Sequence, residues 1–303
     1  MNVRTHEIRC ELNFEVRPDG THTVHVEQWV QSALSLFPKT MQHILSGPGL
    51  DPAGIRGGVC GEPGSAWGFF QADVPGARGT RSVARVVSAT NQQWLAETIR
   101  KGAPLVDVGL NILDTHGMPG KRLCRITAER LEESDWFSLS LQVPSDVFLP
   151  DQDAYLDFVR SVAEVCNPSF GTISYAYSLG ATASESRLGP PWPSPDETIP
   201  ASRACLRGYD WLTICATELG DKAGGLPVLE AGGAFHRSER LESGGFWLLA
   251  TPRHEEYDEE AARKVWRSLA PCLRPGVPKQ MVPRLGEPPL PVIYEDARSV
   301  LDS

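Results

Sequence analysis

Hydrophobic and polar residues alternate without interruption near the start of the chain. Between Glu7 and Arg17 every second position is apolar, and the positions in between are polar or charged. The apolar set is Ile8, Cys10, Leu12, Phe14 and Val16. Successive side chains of a β-strand point to opposite faces of a sheet, so this period of two predicts a strand with one buried face and one face in solvent.

Further elements follow from the same kind of pattern. Helical spacing of apolar residues predicts helices at Gln28–Phe37, Thr90–Arg100 and Asp153–Cys166. Apolar or alternating runs predict a strand ending at Val26 and further strands at Leu105–Leu113, Arg122–Leu131, Trp136–Val143 and Thr172–Tyr177. The strands Arg122–Leu131 and Trp136–Val143 would form a hairpin around Glu132-Glu133-Ser134-Asp135.

The region from Arg203 to Pro278 has the clearest order of elements. It predicts a strand at Trp211–Cys215, a brief helix at Ala216–Lys222, strands at Ala234–Leu241 and Gly245–Thr251, and an amphipathic helix at Asp258–Leu273. Because this helix and the hairpin before it must close over one core, we expect Trp266 to be buried near Trp211 or Trp247.

Two strands followed by a helix recur near residues 7–37, 122–166 and 234–273. The recurrence concerns the elements, because the residues themselves are not repeated. It predicts an α+β fold, in which antiparallel sheets have helices packed on one face.

Two stretches rich in proline and glycine interrupt the pattern. Residues 178–203 read as a connection over the surface between an N-terminal region, 1–177, and a C-terminal region, 204–303, which ends in a proline-rich tail. Whether these regions are one domain or two stays open. The Gly-rich loop 46–68 is either a functional lid or an exposed insertion, since long loops of this kind are often functional.

Charge and cysteine content narrow the classes of function. The formal net charge of the 303-residue chain is −9 and the pI is about 5.3, which argues against nucleic acid as a partner and is compatible with a basic protein partner. The N-terminal sequence lacks the apolar core of a secretory signal, and no membrane span is expected. Seven scattered cysteines without a CxxC motif favour free thiols in a reducing cytoplasm.

Candidate catalytic and metal-binding residues are few. His22 and His25 would point to opposite faces of a strand, so no metal site and no cofactor are predicted. No serine occupies a G-x-S-x-G motif. As catalytic alternatives there remain Cys60, which its neighbouring glycines would expose, and His116 with Asp114 in a turn.

An acidic run and one tryptophan are the candidates for binding a partner. Glu255, Glu256, Asp258 and Glu259 precede or begin the last predicted helix, where acidic residues complement the helix dipole. The same carboxylates could instead meet a basic partner. Trp192 stands between prolines in the connection, and aromatic residues in loops are common anchors of protein interfaces.

The last third of the chain resembles bacterial proteins of the type VI immunity family. The resemblance is carried by these motifs: Arg207-Gly208-Tyr209-Asp210-Trp211-Leu212-Thr213, Glu218-Leu219, Gly224-Gly225, Ala250-Thr251-Pro252 and Leu269-Ala270-Pro271. They are mostly structural, so they indicate a fold more directly than an activity. The resemblance implies a cytoplasmic, non-catalytic protein that binds and neutralises a cognate bacterial toxin.

The competing hypothesis is an enzyme or a small-molecule-binding protein of a biosynthetic pathway, with the 46–68 loop as its lid. The identity of the gene next to this one distinguishes the two hypotheses. The identity of the toxin or substrate and the oligomeric state stay open.

Overall fold

A computed structural model of the chain describes residues 5–300, apart from 17, 19, 47–49, 51, 78, 132–133, 178–179, 190, 282–286 and 290. The strands are β1 (Glu7–Glu15), β2 (Ala66–Gly76), β3 (Gly79–Val86), β4 (Leu105–Leu113), β5 (Pro119–Arg130), β6 (Trp136–Pro144), β7 (Phe170–Tyr175), β8 (Leu212–Cys215), β9 (Arg237–Arg240) and β10 (Phe246–Leu249). Glu132 and Glu133 of the predicted hairpin turn and Pro283 of the tail lie outside the described residues.

The helices complete the set of elements. They are α1 (His22–Ser35), α2 (Pro38–Ser46), α3 (Ala89–Arg100), α4 (Ser145–Phe148), α5 (Gln152–Cys166), α6 (Pro195–Thr198), α7 (Thr217–Lys222), α8 (Gly225–Ala231) and α9 (Glu259–Leu269). Short 3-10 helices include Glu185–Arg187 and His254–Glu256. Within the described ranges, no helix has both the length and the apolar composition needed to cross a bilayer.

All ten strands belong to one sheet, in the order β3-β2-β4-β5-β6-β1-β7-β8-β10-β9. Every neighbouring pair is antiparallel. The first strand of the chain, β1, therefore lies inside the sheet, between β6 and β7. The predicted α+β class with antiparallel strands is confirmed. Where domains divide stays a prediction, although β7 pairs with β8 across the 178–203 connection.

Helices cover opposite faces of the sheet in its two halves. The apolar residues of β1 pack into a first core with α1, α3 and α5. Strand β10 divides its side chains, since Trp247 and Leu249 join that core while Phe246 and Leu248 join a second core with α7 and α9. Trp266 is buried as expected, but it lies in this second core, whereas Trp211 and Trp247 belong to the first.

The predicted strand ending at Val26 is wrong. Its residues form the first turns of α1, which begins at His22 and buries Val26 together with Trp29 and Val30. Helical spacing of the apolar residues thus extends further towards the N-terminus than predicted. The unit near residues 7–37 is a strand followed by helices, whereas β5-β6-α5 and β9-β10-α9 are strand-strand-helix units. A third such unit, β2-β3-α3, was not predicted.

The polar face of β1 is also buried, contrary to the prediction. Arg9, Glu11 and Asn13 are almost inaccessible to solvent, because the described part of the 178–203 connection packs over them. Alternation in sequence shows that two faces differ in polarity, but it does not show that the polar face meets water. The connection therefore serves as a cover for the centre of the sheet.

A close contact inside the second core gives a first stability prediction. Gly220 in α7 packs against the ring of Phe246, and a Cβ at this position would overlap that ring. We expect Gly220→Ala to lower the free energy of unfolding by about 1–3 kcal/mol, which is typical of overpacking. Urea titration measures this. The Phe246→Leu background removes the ring, so the cost of Gly220→Ala should shrink there, and an undiminished cost would contradict the steric explanation.

Candidate functional site

The buried polar face of β1 forms an ion network around one arginine. The side chain of Arg207 is fully buried and pairs with Glu11 of β1 and with Glu185 of the connection, the latter at 3.0 Å. Its guanidinium also donates to Asn13 Oδ1 at 2.7 Å. Arg9 pairs with Glu11 from the other side. The ion pairs of this network hold the connection onto the sheet. Because the network is closed to solvent, it offers no surface to a ligand.

The residues that follow Arg207 point in different directions. The hydroxyl of Tyr209 accepts a hydrogen bond from the backbone N–H of Ile293 at 2.8 Å. Asp210 accepts one from the backbone N–H of Trp211 at 2.8 Å, and Trp211 packs into the first core. One short stretch before β8 therefore links the ion network, the C-terminal tail and the first core.

A cleft with a volume of about 790 Å³ opens beside this stretch. It lies between the end of β7, the residues before β8, the 3-10 helix His254–Glu256, the start of α9 and the tail. The lining residues are Tyr175, Asp210, His254, Glu255, Tyr257, Asp258, Glu259, Arg263, Gln280, Pro289, Pro291, Val292, Ile293, Tyr294 and Glu295.

The tail forms one wall of the cleft, and side chains from three other parts of the chain hold it. Besides the bond from Ile293 to Tyr209, the hydroxyl of Tyr177 donates to the carbonyl of Pro289 at 3.1 Å. Arg263 of α9 pairs with Glu295 at 2.6 Å. The described residues 287–295 of the proline-rich tail, apart from 290, thus form a strap against the body of the protein.

Asp210 forms the floor of the cleft. Its side chain lines the cavity although the residue is only 4% exposed. Oδ1 accepts the N–H of Trp211, and no hydrogen bond to Oδ2 exists among the described residues. Burial raises the pKa of this carboxyl to about 7, against the lowering effects of the Trp211 N–H and the charge of Arg9. Near neutral pH the group therefore exchanges between its neutral and charged forms.

His254 is held neutral beside this floor. Its ring packs edge-on against Tyr175, Trp211 and Phe148, with centroid separations of 5.1, 5.4 and 5.6 Å. Burial lowers the pKa of His254 to about 4, although the charge of Glu255 opposes this effect. His254 is therefore an aromatic, uncharged wall of the cleft at physiological pH.

Tyr257 contributes a hydroxyl that is shielded from solvent. Its oxygen has no hydrogen-bond partner in the described part of the chain. Burial, and after it the charge of Asp210, raises the pKa of Tyr257 well above its ordinary value. The hydroxyl therefore keeps its proton and can both donate and accept a hydrogen bond.

The cleft is strongly acidic in composition. Among the described residues that line it, the carboxylates are Asp210, Glu255, Asp258, Glu259 and Glu295, and the one cationic side chain is that of Arg263. Arg263 is already paired with Glu295 and with Glu259. A positively charged ligand would thus meet favourable charges here, and an anionic one would be repelled.

The predicted partner-binding residues are placed in three different situations. Glu255, Asp258 and Glu259 line the cleft, while Glu256, beside them in sequence, is not part of its lining. Asp258 also caps α9, since its carboxylate accepts the N–H of Ala261 at 2.9 Å. Trp192 is 55% exposed and is not a lining residue either. Their binding roles stay predictions.

The alternative catalytic residues cluster elsewhere, near the start of β2. The expected exposure of Cys60 is wrong, because the residue is 1% exposed in a small core with Trp67 and Leu113. The carboxylate of Asp114 accepts the backbone N–H groups of His116 and Met118, which holds a turn. No hydrogen bond among the described residues joins the side chains of Cys60, Asp114 and His116.

His22 and His25 lie on a helix and not on a strand. Their rings pack against Phe137 and Phe14, with centroids 5.6 Å apart in each pair. Within the described ranges, no group of three or more histidine, cysteine, aspartate or glutamate side chains could hold a metal ion.

Sequence reasoning did not identify Asp210 or Tyr257 as site residues. One signal was present, since Asp210 is a single carboxylate enclosed by Tyr209 and Trp211 at the head of an apolar strand. A charged residue in such a position either has a buried partner or lies next to a cavity. The contribution of the strap to the cleft had no comparable signal, because its residues are distant in sequence.

Comparison with known proteins gives a match among solved structures. No family model matches the sequence, and no curated protein matches it. Among solved structures, the Pseudomonas aeruginosa T6SS protein PA0821 has a similar fold, with a TM-score of 0.52 and 15% identity. The match covers 97% of this chain and 81% of that chain. At this level of identity the likeness shows a shared fold.

Proposed function

We propose that this chain is a non-catalytic, immunity-type protein that neutralises a bacterial toxin by binding a basic surface of it in the acidic cleft. The observation that carries the proposal is the cleft itself, whose described lining contains five carboxylates, one paired arginine and several aromatic side chains. Complementary charge accelerates encounter between proteins, and aromatic side chains supply the contact area that keeps a complex together.

Two further observations support this assignment. The motifs that resemble the type VI immunity family include the residues from Arg207 to Thr213, and this stretch supplies the floor of the cleft. The fold is shared with a protein named for the type VI secretion system. A toxin that acts in the cytoplasm would place this protein there too.

The enzyme hypothesis has no comparable support. The 46–68 loop leads into β2, and four strands separate β2 from β7 in the sheet. At about 4.8 Å per strand, this is a separation of more than roughly 20 Å. None of the described residues of the loop lines the cleft, so this part of the loop does not cover it.

The direct test uses the toxin-like protein encoded next to this gene. We expect its expression in a bacterial host to stop growth, and co-expression of this chain to restore growth. Calorimetry with the two purified proteins should show a one-to-one complex. A neighbouring protein that is not toxic, or that is toxic but neither bound nor neutralised by this chain, would refute the proposal.

Charge-neutralising variants test whether the cleft is the binding surface. We expect Glu255→Gln combined with Glu259→Gln to weaken toxin binding about tenfold or more, because each change removes a charge at the interface. Glu256→Gln is the matched control, since it makes the same chemical change one residue outside the lining. Trp192→Ala tests the separate prediction that this exposed side chain contacts the partner.

Each outcome of these experiments has a distinct interpretation. Melting temperatures should change little in all of them, because the altered groups are at the surface. Equal loss of binding in Glu256→Gln and in the double variant would show that net charge acts at long range, without a role for the cleft. Unchanged binding in Trp192→Ala would remove Trp192 from the interface.

A further inference from the structure

Two polar atoms at the floor of the cleft have no partner among the described residues. One is the hydroxyl oxygen of Tyr257, which is shielded from solvent. The other is Oδ2 of Asp210, since the N–H of Trp211 is donated to Oδ1 of the same carboxyl. A buried polar group without a hydrogen bond destabilises a fold, so each such group requires an explanation, and a ligand that supplies the missing hydrogen bond is one. Both atoms can accept a hydrogen bond, and the carboxylate brings negative charge.

The surroundings of these atoms fit a flat cation. The rings of Tyr175, His254 and Tyr257 line the same cleft, and His254 is neutral. A guanidinium group stacks on aromatic faces while its N–H groups donate in the plane of the group. The side chain of Arg263 does not occupy this role, since it is bound to Glu295 and Glu259.

The size of the cleft indicates what carries the cation. A volume of about 790 Å³ is much larger than one side chain and lies in the range of clefts that enclose a whole ligand, so a short segment of polypeptide fits it. The carboxylates of Glu255, Asp258 and Glu259 lie on the elements that border the opening, where they can meet further cationic side chains of the same segment. A basic segment would thus be bound along its length, with one side chain inserted to the floor.

We infer that the floor of the cleft receives the guanidinium group of an arginine in a basic segment of the partner, bound by Asp210 and by the hydroxyl of Tyr257. This inference rests on the proposed function, because it specifies how a basic protein occupies the cleft. Arginine is favoured over lysine because a guanidinium is less strongly hydrated and its planar array of donors can reach two acceptors at once.

The test uses an acetylated and amidated tri-arginine peptide as the probe and its tri-lysine counterpart as the comparison. Calorimetry at pH 8 and low salt measures both affinities for the full chain. We expect tri-arginine to bind about tenfold more tightly than tri-lysine, and Asp210→Asn to weaken tri-arginine binding about tenfold or more, as expected for a charge-assisted hydrogen bond. Glu256→Gln, outside the lining, should change the affinity about twofold at most.

Tyr257→Phe separates loss of binding from loss of folding. This variant removes a hydroxyl that has no hydrogen-bond partner, so its melting temperature should stay the same or rise. Binding of tri-arginine should nevertheless weaken about threefold to tenfold, the value of one hydrogen bond. A stable Tyr257→Phe variant that binds tri-arginine with the affinity of the wild type would overturn the inference.

Other outcomes also decide the question. Equal affinity for tri-lysine and tri-arginine would overturn the choice of arginine, and absence of tri-arginine binding would overturn the site. If free L-arginine binds as tightly as the peptide, the ligand is a small molecule and the inference of a protein segment is wrong.

The toxin distinguishes failure of this inference from failure of the proposed function. Toxin binding that is unaffected by Asp210→Asn and by Tyr257→Phe would overturn the inference and leave the proposed function standing. Binding of tri-arginine that depends on Asp210, without any binding of the toxin, would support the arginine site and refute the immunity function.

Discussion

Replacing Arg207 by methionine should lower the free energy of unfolding by about 3–5 kcal/mol, the cost of removing one partner from a buried ion pair. The side chain of Arg207 is fully buried, and its loss would leave Glu185 without its ionic partner. Glu11 would keep only Arg9. Methionine fills a similar volume, so the expected loss arises mainly from charge and hydrogen bonding and not from a cavity.

The measurement is urea unfolding at neutral pH, with Arg240→Met as the matched control. Arg240 pairs with Asp221 on the surface, where both side chains are about half exposed, and its replacement should cost less than about 1 kcal/mol. Arg207→Lys should fall between the two, because lysine keeps the charge but not the planar array of donors. A loss below about 1 kcal/mol for Arg207→Met would show that the network contributes little to stability.

Acid should reduce the difference in free energy of unfolding between the wild type and Arg207→Met. Burial alone would raise the pKa of Glu11, but the charges of Arg9 and Arg207 outweigh it and lower the pKa below its ordinary value. A carboxyl whose pKa is lowered by folding stabilises the fold above its unfolded pKa and loses that contribution as the pH falls. The difference between Arg207→Met and the wild type should therefore shrink below about pH 4.

Periodicity in the sequence was sufficient for most of the sheet. Strands β4 and β6 and helix α5 agree with the predictions to within one residue, and β5 to within three, because their apolar side chains repeat with the period of their own element. The error at α1 also arises from periodicity, because a short alternating run precedes the helical pattern. His22 and His25 flank Val24, which imitates a short alternating strand, whereas the helical set that begins at Val26 decides the element.

The candidate site could be predicted only in part. The acidic residues Glu255, Asp258 and Glu259 were selected because charges dense in sequence are dense in space. Asp210 and Glu295 complete the same cleft from positions that are distant along the chain. Contacts of that kind depend on the order of strands and on the path of the tail, and no local pattern encodes either.

The buried face of β1 shows the same limit. Its residues Glu11 and Asn13 are matched by Arg207, nearly 200 residues later, and Arg207 is matched in turn by Glu185. Each of these charged residues taken alone is of a type that is usually exposed. Complementary charges reveal such a network only after the fold has brought them together. The connection that covers the face therefore could not be distinguished from a surface loop.

Asp210→Asn should make the protein more stable at pH 8 than the wild type, and much less so at pH 5. Folding raises the pKa of Asp210 from an ordinary value of 3.8 to about 7. The folded state therefore holds this proton more tightly than the unfolded state does. The stability that this difference gives is complete below the unfolded pKa and is lost as the pH rises to the folded pKa.

The shift of about 3 units corresponds to roughly 4 kcal/mol over the whole range, of which roughly 3 kcal/mol falls between pH 5 and 8. Asparagine has almost the same shape and keeps the oxygen that accepts the Trp211 N–H, but it does not titrate. The stability gained by the variant over the wild type should thus grow by roughly 3 kcal/mol between pH 5 and pH 8.

The wild type conceals this effect because His254 titrates in the opposite sense. Its pKa falls from 6.5 to about 4 on folding, so the unfolded state binds the proton more tightly and stability rises with pH between these values. The two contributions nearly cancel up to about pH 6.5, since each changes by about 1.4 kcal/mol per pH unit.

Urea unfolding of the wild type and of Asp210→Asn at pH 5, 6, 7 and 8 separates the two groups. The titrations of Asp210 and His254 should together change the free energy of unfolding of the wild type only a little. The free energy of unfolding of Asp210→Asn should rise up to about pH 6.5, because of these two groups this variant retains His254 alone. Asp153→Asn, at an exposed position in the first turn of α5, is the matched control for the chemical change itself. A difference between Asp210→Asn and the wild type that stays constant from pH 5 to pH 8 would show that Asp210 has an ordinary pKa. In that case the carboxylate at the floor of the cleft would be charged without a bound cation, and burial would impose no measurable penalty on it.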